Sequence, residues 1–300
     1  MSLTLDDVSL LRCPACRGAF RWQSEEGGGP LHQGGLSCAG CARVWPVVAG
    51  LPRLFQEERV RGNDRLLRVI YDALPSLHDP LTTALTPFLA GMTEHDGREH
   101  VCRRMDLASL APPPGHDGGP SKGPPTPPGR PLRILEVGIG GGANLSYFRR
   151  HLGGRPAEIW GIDLSAGMLG ECRKLVQKEG HTGVRLLVAD GHALPFPDQS
   201  FDRVLNLGGL GGYRDPRTAL AEMARVAVRG SPIVLVDEQL DRGRAHGLFY
   251  RAVFRALTFY EPDPKSPRAI LPEGASGVID EQPTRCYYCL TFRMPPLPTP

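Results

Sequence analysis

Residues 132–145 run from an apolar stretch, Leu132-Arg-Ile-Leu-Glu136-Val, straight into Gly138-Ile-Gly140-Gly-Gly142-Ala-Asn144, and then into a helical pattern, SYFRRHL. Glycine at 138, 140 and 142 lets the backbone turn sharply and approach a ligand where any Cβ would collide. A second strand pattern, Glu158-Ile-Trp-Gly-Ile-Asp163, ends on an acid 21 residues beyond Gly142, near the spacing at which a carboxylate meets ribose hydroxyls. This order of strand, loop, helix, strand and acid predicts an α/β fold: a Rossmann-like, doubly wound, mostly parallel sheet with a nucleoside site at its carboxyl edge.

Dinucleotide and S-adenosylmethionine sites share that geometry, so the following motifs decide between them. Glu136 stands two residues before the first glycine, and Asp163-Leu-Ser-Ala-Gly-Met168-Leu closes the second strand. Val188-Ala-Asp190-Gly-His192-Ala193-Leu-Pro-Phe-Pro-Asp198 follows, then Phe201-Asp-Arg-Val-Leu-Asn206 as a fourth strand and Ala219 to Val236 as helix, turn and fifth strand. A further strand is expected at 285–293. In this order the motifs resemble class I S-adenosylmethionine-dependent methyltransferases, and within them the ubiquinone/menaquinone-type methyltransferase subgroup. The resemblance implies that Glu136 and the loop Gly138, Gly140, Gly142 hold the methionine end of S-adenosylmethionine, with Asn206 nearby. It implies that Asp163 takes the ribose hydroxyls, that Met168 and Asp190 meet the adenine, and that the Ala193 backbone helps at the adenine edge. Two departures stand out: the loop after strand four is glycine-rich where quinone-type enzymes tend to carry a histidine, and the turn at 230 reads Gly-Ser.

The amino-terminal segment follows other rules. Cys13-Pro-Ala-Cys16 and Cys38-Ala-Gly-Cys41 form two CxxC knuckles 21 residues apart, a four-thiolate zinc layout with a hairpin-sized insert. Few large apolar residues lie between them, so the metal is expected to supply much of the folding energy. With the tail WPVVAGLPRL, the segment resembles the small zinc ribbons of methyltransferase activators. It acts either as a structural clip or as a recognition module for a substrate such as RNA. Cys286-Tyr-Tyr-Cys289 lies in a strand pattern, where residues three apart point to opposite faces. Cys102 and Cys172 read as ordinary buried side chains.

Residues 1–56 are thus expected to form the ribbon and 57–110 a helical bridge or cap, its later part cut into short pieces by Pro75, Pro80 and Pro87. Positions 111–131, with nine prolines and five glycines, read as an exposed linker, and 132–295 as the S-adenosylmethionine-binding domain. A formal charge of +3 permits nucleic acid without indicating it. The sequence shows no signal-peptide core and no stretch approaching a membrane span, which predicts a cytoplasmic protein with reduced cysteines.

A methyl donor brings its own activated group, so catalytic residues leave little trace. Tyr213, Asp215 and His192 are the candidates, with Tyr213 favoured for its place beyond strand four. Within 244–260, Leu248, Phe249, Ala252, Val253, Ala256, Leu257 and Tyr260 share a helical stripe that reads first as a packing face. The alternative is a substrate lid that also contacts a membrane surface through its arginines. The leading function is methyl transfer to a small, apolar or aromatic, quinone- or lipid-like acceptor. The rivals are an rRNA, tRNA or translation-factor methyltransferase that uses the ribbon, and a non-catalytic S-adenosylmethionine-binding scaffold. The oligomeric state is left open.

Overall fold

A reciprocal capping box opens the first helix. The Thr4 hydroxyl accepts from the Asp7 backbone N–H while the Asp7 carboxylate accepts from the Thr4 N–H at 2.8 Å, which starts α1 (Leu5–Leu10). The computed structural model describes residues 3–24, 31–110 and 130–296, so positions 111–129 of the expected linker lie outside the described residues. Four short strands follow α1: β1 (Phe20–Ser24), β2 (Gly34–Cys38), β3 (Val44–Val48) and β4 (Leu51–Leu54). They pair antiparallel in sequence order. β3 alternates exposed and buried positions, laying Trp45 and Val47 with Leu11, Phe20, Leu31 and Leu36 in a core continuous with that of the large half.

Three helices come next: α2 (Asn63–Ala73), α3 (Pro75–Ala90) and α4 (Glu94–Arg104). The expectation that prolines cut this region into short pieces is corrected by α3, which runs 16 residues through Pro80 and Pro87. Pro75 occupies the first turn, where its missing N–H costs nothing. The carbonyls that Pro80 and Pro87 leave unbonded belong to the exposed residues Ser76 and Thr83, where water can satisfy them.

The larger half comprises β5 (Leu132–Val137), α5 (Leu145–Leu152), β6 (Ala157–Asp163), α6 (Ala166–Lys178), β7 (Val184–Ala189), β8 (Arg203–Leu207), α7 (Pro216–Val226), β9 (Ile233–Glu238), α8 (Leu248–Leu257), β10 (Ser276–Glu281) and β11 (Tyr287–Arg293). Across the sheet the order is β1-β2-β3-β4-β7-β6-β5-β8-β9-β11-β10. Strands β7, β6, β5, β8 and β9 are parallel, while β11 and β10 run antiparallel at one side. This is the Rossmann-like α/β arrangement that the motifs imply. The chain leaves β5 towards β6 on one side and returns to β8 on the other, so a crevice opens above the carboxyl ends of these strands. The amino-terminal sheet is continuous with the large one, because β4 pairs in parallel with β7 through Arg53 opposite Val188 and Leu54 opposite Ala189.

Apolar side chains cover both faces of the large sheet. Leu135 and Val137 pack to one side with Trp160, Phe196 and Phe201, and Ile134 to the other with Phe148, Ile159 and Leu169. The Phe196 ring meets Trp160 and Phe201 edge-on at 5.5 and 4.8 Å, contacts worth about 1 kcal/mol each beyond their burial. Arg203 is fully buried in β8 and satisfied by carbonyls, those of Met105, Asp106 and Asp202, which staple the turn after α4 to the sheet.

The expected packing stripe of α8 is also corrected. The helix buries Tyr250 and Phe254, whereas Leu248, Phe249, Ala252, Ala256 and Leu257 of that stripe are exposed. Cys286 and Cys289 fall in separate apolar clusters. Among the described residues no helix is long and apolar enough to cross a membrane.

Candidate active site and four-cysteine centre

The glycine loop is built as its residues require. Gly138, Gly140 and Gly142 all have positive φ, at 77°, 55° and 85°. A Cβ on Gly142 would lie 2.7 Å from Cys172 Sγ and 3.0 Å from Leu145 Cδ1, so the position demands glycine for space as well as conformation. The N–H groups of Gly138 and Ile139 both donate to the carbonyl of Ile162, which presses the loop against the end of β6.

Asp163 ends β6 and joins loop to helix. Its Oδ2 accepts from Gly140 N at 3.0 Å and its Oδ1 from Ser165 N at 2.8 Å. Ser165 caps α6 by accepting from Met168 N, which sets Met168 in the first turn with its Cε under Gly140. Glu136 is buried at the end of β5 and accepts from Asn144 Nδ2 at 2.5 Å, and Asn144 in turn accepts from Arg98 of α4. Asn206, fully buried in β8, donates from Nδ2 to the Val137 carbonyl at 2.7 Å, while its Oδ1 has no hydrogen-bond partner among the described residues.

Past β7, Asp190 is buried and doubly held. Its Oδ1 accepts from His192 N at 2.9 Å and from His192 Nδ1 at 2.6 Å, and its Oδ2 accepts from Arg214 at 2.9 Å. Burial opposes ionisation of this carboxyl, but the His192 hydrogen bond and charge, together with Arg214, outweigh it and hold the group at about 2. The Ala193 N–H is already used, closing a turn onto the Asp190 carbonyl.

The catalytic candidates fall in different settings. Tyr213 lies over Gly191, with its hydroxyl 3.4 Å from Asn206 Nδ2 and its ring 5.1 Å from that of His192. Its phenol is pushed well above the usual range, first by burial and then by the charges of Asp163 and Asp190. His192 has both ring nitrogens engaged, Nδ1 with Asp190 and Nε2 with the Asp215 N–H. Asp215 caps α7 through Thr218 N and Oγ1. The structure thus brings Glu136, the loop, Asp163, Met168, Asp190, Asn206 and Tyr213 to one crevice, with His192 behind Asp190 and Asp215 at a helix end.

Several side chains of this site left no motif in the sequence. On α2, Asp64 accepts from Arg214, and Asp72 accepts from Ser165 Oγ at 2.7 Å and Gly167 N at 3.0 Å. Leu67 of the same helix covers Gly212, so α2 closes the crevice from above. Tyr71 is partly buried, and its phenol is pushed up by burial first, then by the charges of Glu238, Asp163 and Asp237. At the end of β9, Asp237 accepts from Gly211 N at 2.7 Å and Glu238 from the Tyr260 hydroxyl at 3.1 Å. Burial, then the neighbouring Asp237 charge, raise the Glu238 carboxyl well above the ordinary range. Asp64 and Tyr71 are separated from the glycine loop by more than sixty residues of sequence, so no local pattern marks them.

At the other end of the sheet the sulfurs of Cys13, Cys16, Cys38 and Cys41 all lie within 4.8 Å of one another. The Cys13–Cys41 and Cys16–Cys38 separations are 3.8 and 3.4 Å. A tetrahedral zinc with bonds of about 2.3 Å sets its sulfurs about 3.8 Å apart, so the cradle has the right size. Gly18 and Gly40 leave room for it: a Cβ on Gly18 would stand 2.8 Å from Cys38 Sγ and one on Gly40 3.2 Å from Cys16 Sγ.

Residues 135–235 match the family described as Methyltransferase domain. The chain is 36% identical over 130 residues to a demethylmenaquinone methyltransferase of Thermus thermophilus, covering 43% of this chain and 58% of that protein. It is 36% identical over 105 residues to a fatty-acid O-methyltransferase of Mycolicibacterium smegmatis, covering 35% of this chain and 36% of that protein. Among solved structures it is similar to Haemonchus contortus phosphoethanolamine N-methyltransferase 2 in complex with S-adenosyl-L-methionine. That likeness has a TM-score of 0.56 at 14% identity, covers 84% of this chain and 64% of the other, and concerns the fold. The chain spans about a third to a little over half the length of these curated relatives. Residues 135–235 thus match a methyltransferase-domain family, and the sheet shares the fold of that methyltransferase structure.

Proposed function

We propose that this chain is an S-adenosylmethionine-dependent methyltransferase acting on a small apolar or aromatic acceptor, with a structural zinc ion held by Cys13, Cys16, Cys38 and Cys41. The observation that carries the first part is the Asp163 carboxylate, fixed by two backbone N–H groups between a glycine loop and a helix start. A carboxylate at this strand end is the acceptor that ribose hydroxyls require. The buried Asn206 Oδ1 is an unmet acceptor beside Gly138 and suits an ammonium group, as the methionine end presents. Asp190 retains one lone pair on Oδ2 for an exocyclic amine, and Met168 supplies an apolar contact. The demethylmenaquinone and fatty-acid relatives support the acceptor class.

Bound S-adenosylmethionine supplies an electrophilic methyl group on a sulfonium. The chain's own contribution is orientation and exclusion of water, which in well-aligned reactions is worth about 7–11 kcal/mol. Helix α2, tied down by Asp64, Leu67 and Asp72, provides that exclusion. The acceptor side carries Tyr71, Tyr213, Tyr260 and Glu238, whose acidity burial weakens in each case. A rim of such weakened acids suits an acceptor that arrives as its own nucleophile, a carboxylate or an enolate. The zinc reading rests on the size of the thiolate cradle, and a closed four-sulfur set leaves no position for chemistry.

Isothermal titration calorimetry of the full chain with S-adenosylmethionine tests the proposal. Saturable binding by the wild type, abolished by Asp163→Ala, supports it, and a wild type that binds nothing overturns it.

A further inference from the structure

α8 presents most of its apolar side chains to solvent. It is anchored by Tyr250, whose hydroxyl donates to the Leu89 carbonyl and whose ring lies between the Arg285 guanidinium, 4.4 Å from the centroid, and the stacked imidazole of His246 at 5.0 Å. Phe254 and Thr258, one and two turns on, complete the buried face. Opposite them lie Leu248, 85% exposed, Phe249, 72% exposed, and Phe259, 50% exposed, with the exposed Ala252 and Ala256 between. At 100° per residue the four helical positions form one arc, and Phe259 follows in the turn just past the helix. The patch continues onto α3, where Phe88 is 52% exposed and stands edge-on to Phe249 at 6.4 Å. Contiguous exposed apolar surface of this kind marks a docking face.

Its border is cationic. Arg251 and Arg255, four residues apart, flank one side of the arc and join Arg242 in lining a groove of about 400 Å³ that also holds Asp263. Arg242 pairs with Asp263 at 3.2 Å and Arg255 donates to the carbonyls of Thr258 and Glu261, whereas Arg251 makes no ion pair among the described residues. Residues 241–268 contain six basic and three acidic side chains, a surplus equal to the +3 of the whole chain, so the remainder is neutral.

We infer that α8 and its flanking turns dock on an anionic membrane surface, with Leu248, Phe249 and Phe259 entering the acyl boundary and lipid phosphate seated among Arg242, Arg251 and Arg255. A bilayer with acidic headgroups satisfies the apolar arc and its arginine border together, as interfacial helices do. Nucleic acid would meet the arginines and leave Leu248 and Phe249 in water. The inference is independent of methyl transfer.

Cosedimentation of the full chain with phosphatidylcholine vesicles, with and without phosphatidylglycerol, tests it. The expected result is binding that rises with phosphatidylglycerol. It falls about tenfold or more when Leu248→Ser and Phe249→Ser are combined, and about fivefold for Arg251→Gln. Circular dichroism of each variant establishes that the fold is kept. Absence of phosphatidylglycerol-dependent binding in the wild type overturns the inference, as does a double variant that binds equally well. Light scattering that shows a dimer dissolved by Phe249→Ser also overturns it, by assigning the face to a second copy of the chain.

Discussion

The two ends of the long sheet are held together by different physics. Between β7 and β9 almost every strand position is buried on one face or the other, and rings as large as Trp160 and Phe196 interlock without a cross-link. Between β1 and β3 the outer positions of β3 face solvent, a few large side chains extend the shared core, and four thiols converge beside them. A few tens of residues cannot bury enough surface to offset chain entropy, whereas about 150 can. One sheet therefore contains a part expected to need its metal and a part that does not, sharing the seam of β4 and β7.

The largest test of that contrast is metal removal. Zinc binding in such sites is worth about 10–16 kcal/mol, so chelation or Cys38→Ser is expected to unfold the ribbon. A red shift of Trp22 and Trp45 fluorescence would report it, while S-adenosylmethionine binding persists; simultaneous loss of both would show a single cooperative unit. Next comes Gly142→Ala, which meets Cys172 Sγ and a left-handed backbone together. It is expected to cost about 3 kcal/mol in the large half alone, read as a lower melting temperature with the ribbon's metal content unchanged. Arg214→Ala strips a cation from the buried Asp64 and Asp190 carboxylates. About 2 kcal/mol of stability is expected to go, and S-adenosylmethionine affinity should weaken as Asp190 loses its fixed orientation.

Buried titratable groups sharpen the contrast through pH. Because folding raises the Glu238 carboxyl, its contribution is fully present below its unfolded value of about 4.3 and is lost as pH climbs towards the folded one. Denaturant melts of Glu238→Gln should therefore gain on the wild type as pH rises from acid to neutral, and a constant gap would refute the assignment. The smallest effect is expected at the seam. Arg17 reaches from the ribbon to Glu222 at 2.8 Å, but its side chain is 57% exposed, so Arg17→Ala should cost below about 1 kcal/mol, measured by the same melts.

What the sequence makes legible follows from range. Glu136, Gly138 to Gly142 and Asp163 sit where their spacing places them, at adjacent strand ends, because strand, loop and helix lengths are local quantities. The Asp64–Arg214–Asp190 and Arg98–Asn144–Glu136 chains depend on tertiary closure of α2 and α4, which no periodicity encodes. α3 defeats the usual reading of proline because the freed carbonyls face water. α8 shows the complementary failure: its apolar stripe is real, but the protein buries the face of Tyr250 and Phe254 instead. β10 escapes notice because SGVIDE is largely polar and only partly covered.

The pairing of β4 with β7 also governs how the molecule behaves in a crowd. A bare β7 would offer a row of unpaired peptide groups on the strongly apolar Val184, Leu186, Leu187 and Val188, a template on which identical chains could stack. Arg53 and Leu54 take up the end of that row at Val188 and Ala189, and the outermost position on this side passes to β1, whose FRWQS is more polar. A chain trimmed to begin at residue 57 would keep the crevice intact and lose its shield, so it should accumulate as soluble aggregates on size-exclusion chromatography. In that light the amino-terminal strands guard the sheet's flank, and the zinc proposed for their four cysteines would bear on solubility as well as folding.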